Sequence, residues 1–282
     1  MVELRRDTSD DLTEGLFERT GVFWRVNRES VLLLGGGAAL LLQVAHPLVA
    51  AGVADHSDFR ERPLRRLYRT VRAMQTIICA DRGDALATAA NINAIHRRVR
   101  GTLREATRLY PVGTPYRADD PELVLWVYAT LVATSLGTYN EFLPALSLAE
   151  EREFYEESKT IARLFGVPES LLPTTLEDFW CYWDGMLSGP VLEITPTARA
   201  LGFDILHPPI TGFPYVLGGV IGIAALALLP PVLRERYGLK WDRKRTVLWG
   251  RAQRILRTTL PVLPDVARAS RTARRAEREL AR

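Results

Sequence analysis

The sequence predicts an all-α protein, a single large helical domain spanning residues 1–282. Three observations predict it. Apolar residues recur at helical spacing over long stretches, Asp, Ser and Thr helix-start signals repeat along the chain, and no strand-type alternation exceeds a few residues. With 282 residues, 47% hydrophobic and 25% charged, the chain can build one sizeable core from an ordinary globular composition.

The elements are taken in chain order. Residues 1–20 form an N-terminal arm. Its charged start, Met1 to Leu12, lacks the apolar stretch of a signal peptide, and a short amphipathic segment covers 11–20. Helices are predicted over 25–34 and 37–45, separated by Gly35-Gly36-Gly37, which reads as close packing or a hinge. Pro47 opens another, to about Ala54. Pro63 takes the first position of the next, with Leu64, Leu67, Tyr68, Val71, Met74 and Ile77 as its apolar stripe. Asp84 is the expected N-cap of a helix running to Val99, closed by Arg100-Gly101, with an apolar stripe of Leu86, Ala89, Ile92, Ile95 and Val99. Residues 108–120 read as a loop around Pro111, Gly113 and Pro115. Asp120-Pro121 opens a long helix to about Asn140, and Ser147 with Glu150 forms a capping box for a helix ending at Phe165-Gly166. Thr175 precedes a helix rich in Trp and Tyr, and Thr195-Pro196 starts the next. An apolar run over 208–233, a basic helix from Arg243 and a solvated basic tail over 265–282 complete the chain.

Composition narrows the partners. The runs 31–54 and 208–233 carry no charged residue and reach the length of a membrane span, but glycines and prolines interrupt both. Buried core helices are the expectation, with a peripheral membrane contact by the second run as the open alternative. The formal net charge is only +4, and the arginines of the tail have no interleaved aromatics, so no nucleic-acid partner is expected. Cys79 and Cys181 lack C-x-x-C spacing and read as two buried thiols in a reducing, cytoplasmic compartment. A homodimer stays open.

The motif search excludes several enzyme classes: the chain has no nucleophile elbow, no P-loop and no strand-led G-x-G-x-x-G. Three candidates remain. His96 sits at the edge of the apolar stripe of its helix. A lone His there is commonly a satisfied core residue, yet a neutral imidazole on a rigid apolar face is also what an axial haem ligand requires. Arg66 and Thr70 share a helix face, with Arg69 beside them and Arg62 one turn earlier. Such arginines are commonly solvated, but guanidiniums also grip haem propionates. His46, His56, Asp55 and Asp58 form the alternative chemistry: a non-haem iron site of two histidines and a carboxylate.

At these residues the sequence resembles the haem b oxygenase family of latex clearing protein (rubber oxygenase) and the MpaB-type oxygenases. The stretches that carry the resemblance are Leu41 to Pro47, Gly52 to Phe59, Arg66 with Thr70, Ile95 to Gly101, Tyr116 to Leu123 and Leu233 to Leu239, from about residue 20 to 260. Individually they are loose; in this order they are fairly specific. The resemblance implies an all-helical fold holding haem b within the bundle, dioxygen as co-substrate and a hydrophobic, isoprenoid-like small molecule as substrate. It implies His96 as the proximal iron ligand and Arg66 and Thr70 as haem-pocket residues. Arg69 stands where rubber-cleaving members have a distal lysine, and Arg cannot lose its proton. The glutamate base of the rubber oxygenases has no match between His46 and Ala54, so haem binding transfers better than cleavage of a carbon–carbon bond. His46 and His56 are then the candidate distal acid–base groups. A haem-binding, membrane-associated protein without catalysis is the remaining alternative.

Overall fold

The computed structural model describes residues 15–56, 63–207 and 215–280; the side chains of 63–68, 215–218, 220, 221 and 278–280 lie outside that description. The described chain is helical apart from one short hairpin. In order, the helices are α1 (Val22–Asn27), α2 (Gly36–Val44), α3 (Pro47–His56), α4 (Pro63–Cys79), α5 (Arg82–His96), α6 (Pro121–Phe142) and α7 (Leu148–Leu164). They continue with α8 (Leu176–Ser188), α9 (Pro196–Leu206), α10 (Tyr215–Leu228), α11 (Pro231–Tyr237), α12 (Arg243–Thr259), α13 (Asp265–Arg268) and α14 (Arg271–Leu280). The strands β1 (Arg100–Thr102) and β2 (Pro115–Arg117) pair antiparallel, Gly101 opposite Tyr116.

The centre is α6. Its 22 residues start at an Asp120 N-cap with Pro121 in the first turn, and Trp126, Ala129, Thr130 and Phe142 on it are fully buried. Against it pack α2, α7, α12 and the 3-10 turn over Ser30–Gly35. The glycine triplet makes this possible. A Cβ on Gly35 would strike the Thr138 hydroxyl of α6, and one on Gly37 would stand 2.6 Å from Ala225 of α10. The triplet is therefore a close-packing device. The end of α2 is buried there, and its carbonyls find side-chain donors: Trp126 Nε1 donates to Leu42 O (3.2 Å) and Tyr237 Oη to Leu41 O (2.8 Å).

The capping signals form as expected: Ser147 with Glu150 makes both halves of its box, and Thr175 does the same with Asp178. Several expectations are corrected. The segment predicted as one helix over 25–34 breaks at Arg28-Glu29, because Arg28 O accepts from Ser270 N and Glu29 bridges Ala269 of the chain's end. The N-cap of α5 is Asp81, which accepts from Asp84 N, so Asp84 lies within the first turn. That helix stops at His96, and Arg100-Gly101 is strand. Gly101 suits the strand because a Cβ there would stand 2.5 Å from Tyr116 Oη. Residues 108–120 are accordingly part hairpin, not all loop. Cys79 is buried as expected, but Cys181 is exposed. Of the two apolar runs, the first is bent by 107° between Ser30–Val44 and Pro47–His56. The second enters the description at α10, which has 14 residues; positions 208–214 lie outside the described residues. Among the described residues no single helix is long and apolar enough to cross a membrane.

The basic tail, expected to be solvated, is docked. Ala273 and Ala276 are buried where α14 packs on α4, Arg19 Nη1 donates to Ala276 O (2.6 Å), and Arg28 pairs with Glu277 (3.1 Å). Small side chains bring the helices close, with Arg271 and Arg275 exposed beside them. Cys79 lies under this contact, its thiol pushed up to about 12 by burial. In a Cys181→Ser background, Ala276→Arg should destabilise the protein by about 1–3 kcal/mol in urea unfolding, because it overpacks the seam. It should also speed labelling of Cys79 by a thiol reagent. A freely solvated tail would leave both readings unchanged.

Candidate functional site

The candidate residues lie on α3, α4 and α5. Helices α4 and α5 are joined by Ala80 and Asp81 and pack against each other as a helical hairpin. Their far ends return to one level: Arg66, Arg69 and Thr70 on one arm and His96 on the other each lie roughly 15–22 Å of helix rise from the connection.

The buried face of α5 is rotated from the expected stripe. Ala85 and Ala89 are buried and Ile92 and His96 half-buried, while Leu86 and Ile95 are exposed, Ile95 by 50%. The alanines let α5 approach its neighbours closely, and this places His96 on the packed face instead of its edge. Its ring lies 6.2 Å from that of Phe165, and Asn93 one turn earlier donates to Leu164 O (2.8 Å), tying the end of α5 to the end of α7. Burial lowers the His96 pKa, with Asp119 opposing weakly, so the imidazole is neutral near neutral pH. Its ring forms no hydrogen bond among the described residues.

On the other arm, Arg69 and Thr70 are exposed, and the Arg66 side chain lies outside the described residues. Leu41, Leu42, Leu125, Val132 and Leu136 fill the core, and Arg69 stands outside it.

His46 and His56 are not brought together. They bracket the ten-residue α3, roughly 14 Å apart by helix rise. His46 is the helix-start residue: Nδ1 accepts from Leu48 N (3.3 Å), and the buried ring faces Tyr110 at 5.9 Å. Exposed His56 donates from Nε2 to Arg100 O (3.0 Å) and meets the Tyr116 ring edge-on. Asp55 accepts from Tyr116 Oη (2.7 Å) and pairs with Arg104 (3.0 Å), while Asp58 lies outside the described residues. This polar clasp fastens the hairpin to the end of α3. Tyr116 and Arg104 are its members outside the candidate set; Tyr116 heads one of the stretches that carry the family resemblance, and Arg104 has no such signal. Among the described residues, no three His, Cys, Asp or Glu side chains gather as a metal group.

A family model described as ER-bound oxygenase mpaB/B'/Rubber oxygenase, catalytic domain, matches residues 24–258. The chain belongs to this family. Membership places it among the oxygenases, an oxidoreductase class of enzyme. Two mycobacterial proteins are similar to it: uncharacterized protein Mb2261 of Mycobacterium bovis and uncharacterized protein Rv2237 of Mycobacterium tuberculosis. Each is 26% identical over 219 residues, covering 73% of this chain and 80% of its own length. No solved structure matches significantly. The family region of this oxygenase runs from α1 into α12. It contains every candidate residue and leaves out the docked tail.

His46 gives a test of the site's electrostatics. Burial lowers its pKa to about 4, against about 6.5 in an unfolded chain. Between those values the unfolded state binds a proton that the folded state refuses, so stability is full above pH 6.5 and falls as the pH drops toward 4. From pH 7 to pH 5 this residue should cost about 2 kcal/mol. His46→Asn keeps an acceptor for Leu48 N but does not titrate. Its urea-unfolding free energy should therefore fall by about that much less over the same interval. Equal losses in the two proteins would remove His46 as the cause.

Proposed function

We propose that this protein is a haem b-dependent oxygenase that uses dioxygen on a hydrophobic small molecule. The observation that carries the reading is His96: a half-buried imidazole, kept neutral by burial, with no hydrogen bond among the described residues. A porphyrin would bring four of its iron's ligands itself, so the protein would need to offer one nitrogen donor such as His96 and no cluster of metal-binding side chains. The His96 arm of the α4–α5 hairpin fits that requirement, and Phe165 supplies an apolar neighbour. When bound, haem b supplies a redox-active iron for chemistry with dioxygen.

The other arm suits the solvent-facing edge of such a group. Arg69 and Thr70 are exposed at the level of His96, and a guanidinium pairs bidentately with a carboxylate such as a propionate. Arg66 belongs to the same stretch of α4. A guanidinium is a fork of donors suited to an anion, so the role of Arg69 in this reading is to hold an anion and not to shuttle a proton. Asp55, His56 and Tyr116 are engaged in the clasp, and His46 caps α3. The non-haem alternative on His46 and His56 thus has no support from the geometry. A haem protein without catalysis is separated from an oxygenase by dioxygen consumption with a library of apolar substrates.

The protein should purify red, with a Soret band. His96→Ala should abolish haem retention and leave far-ultraviolet circular dichroism largely unchanged. Arg66→Ala should weaken haem binding more than Arg97→Ala or Arg98→Ala, whose side chains are exposed beyond the end of α5. Haem retained by His96→Ala and lost by His46→Ala or His56→Ala would make the assignment wrong.

A further inference from the structure

Helix α12 has no buried residue, although it lies against the core. Its inner side is anchored by Trp249, whose Nε1 donates to Glu141 (3.1 Å) and whose ring meets Phe142 edge-on, and by half-buried Leu256. Its outer side is unusual. Val247, Leu248 and Ile255 are exposed by 47%, 53% and 61%. Helical spacing interleaves them with Lys244, Arg251 and Arg254, and Arg243 and Arg257 flank the arc. The helix continues directly into a proline-punctuated turn leading to α13; there Val262 is 80% exposed, and Leu263 and Val266 of α13 are exposed too.

Charge makes the surface specific. Arg243–Thr259 contains six Lys or Arg and no Asp or Glu. None of the six pairs with an acid among the described residues; Arg245 turns back onto the Lys240 carbonyl. The one acid between 243 and 268 is Asp265, already paired with Arg28 and Arg268. Isolated exposed aliphatics need no explanation, but six of them along one helix and its following turn, among unpaired cations, ask for an apolar medium bounded by negative charge.

We propose that α12 and the turn after it form a docking face for an anionic lipid bilayer. The aliphatic side chains enter the acyl boundary while the long Arg and Lys stems lie along it and keep their charges among the headgroup phosphates. A second copy of the chain would bring like charge against like charge. A nucleic acid would meet the cations but leave the aliphatics without an apolar partner. The face does not depend on the haem reading.

The test is sedimentation of the full-length protein with vesicles of phosphatidylcholine alone or mixed with phosphatidylglycerol. Binding should be at least tenfold tighter to the mixed vesicles and should weaken as salt is raised. Lys244→Gln/Arg251→Gln/Arg254→Gln and Leu248→Gln/Ile255→Gln should each lose at least tenfold in affinity with unchanged circular dichroism. Arg97→Gln/Arg98→Gln, which removes comparable charge elsewhere, should bind as the parent does. Four results would overturn the proposal: no vesicle binding, equal binding to neutral vesicles, an aliphatic double variant that binds like the parent, or a dimer in solution that Ile255→Gln dissociates.

Discussion

The structure depends on how closely the segment 35–37 approaches two other helices. Gly35 meets Thr138 of α6 and Gly37 meets Ala225 of α10 at separations that no Cβ would tolerate. This contact fixes α2 against the central helix, and α2 sets the course of the chain beyond it. Trp126 and Tyr237 close its last carbonyls, Ala45 O accepts from Glu193 N, and His46 then starts α3 in a new direction. The end of α3 is held in turn by the Asp55–Tyr116 and His56–Arg100 contacts, which secure the β1–β2 hairpin. That hairpin begins four residues after His96. The position of the proposed ligand is thus set from both sides, by packing of α5 on α4 and by the anchored strand after it.

Burial and charge divide the histidines into distinct roles. His46 and His56 each have a hydrogen-bonded structural task at one end of α3. His96 has burial without such a task, and desolvation favours its neutral form, the form that can donate a lone pair. The arginines divide similarly. Arg19 and Arg28 of the chain's beginning brace α14, those of α12 pair with no acid among the described residues, and Arg69 stands exposed on α4. A single count of +4 conceals these three arrangements.

Much of the fold is legible in the sequence because the relevant signals are local. Ser147 with Glu150, Thr175 and Asp120-Pro121 start helices through contacts within one turn, and the structure uses each of them. The differences arise where distant parts of the chain decide. The break at Arg28-Glu29 is made by residues 269–270, more than two hundred positions away. Gly101 carries a helix-stop signal, but its conformation is set by Tyr116 across the hairpin. The largest apolar residues of α5 suggest one stripe, whereas alanines form the packed face; the rotation that results brings His96 inward. Membership of the oxygenase family is legible from motif order, which no single local contact determines. The part played by Arg69 is less so, because its exposure depends on which other helices fill the core.

The central claim is that His96 is the one protein ligand needed to hold iron on this scaffold. Iron-edge anomalous diffraction from crystals of the haem-loaded protein tests it most directly. The account predicts a single iron within bonding distance of a His96 ring nitrogen, beside the α4–α5 hairpin and with Phe165 against the same imidazole. An iron bonded to His46 or His56, or a haem held with His96 turned away from the metal, would contradict it.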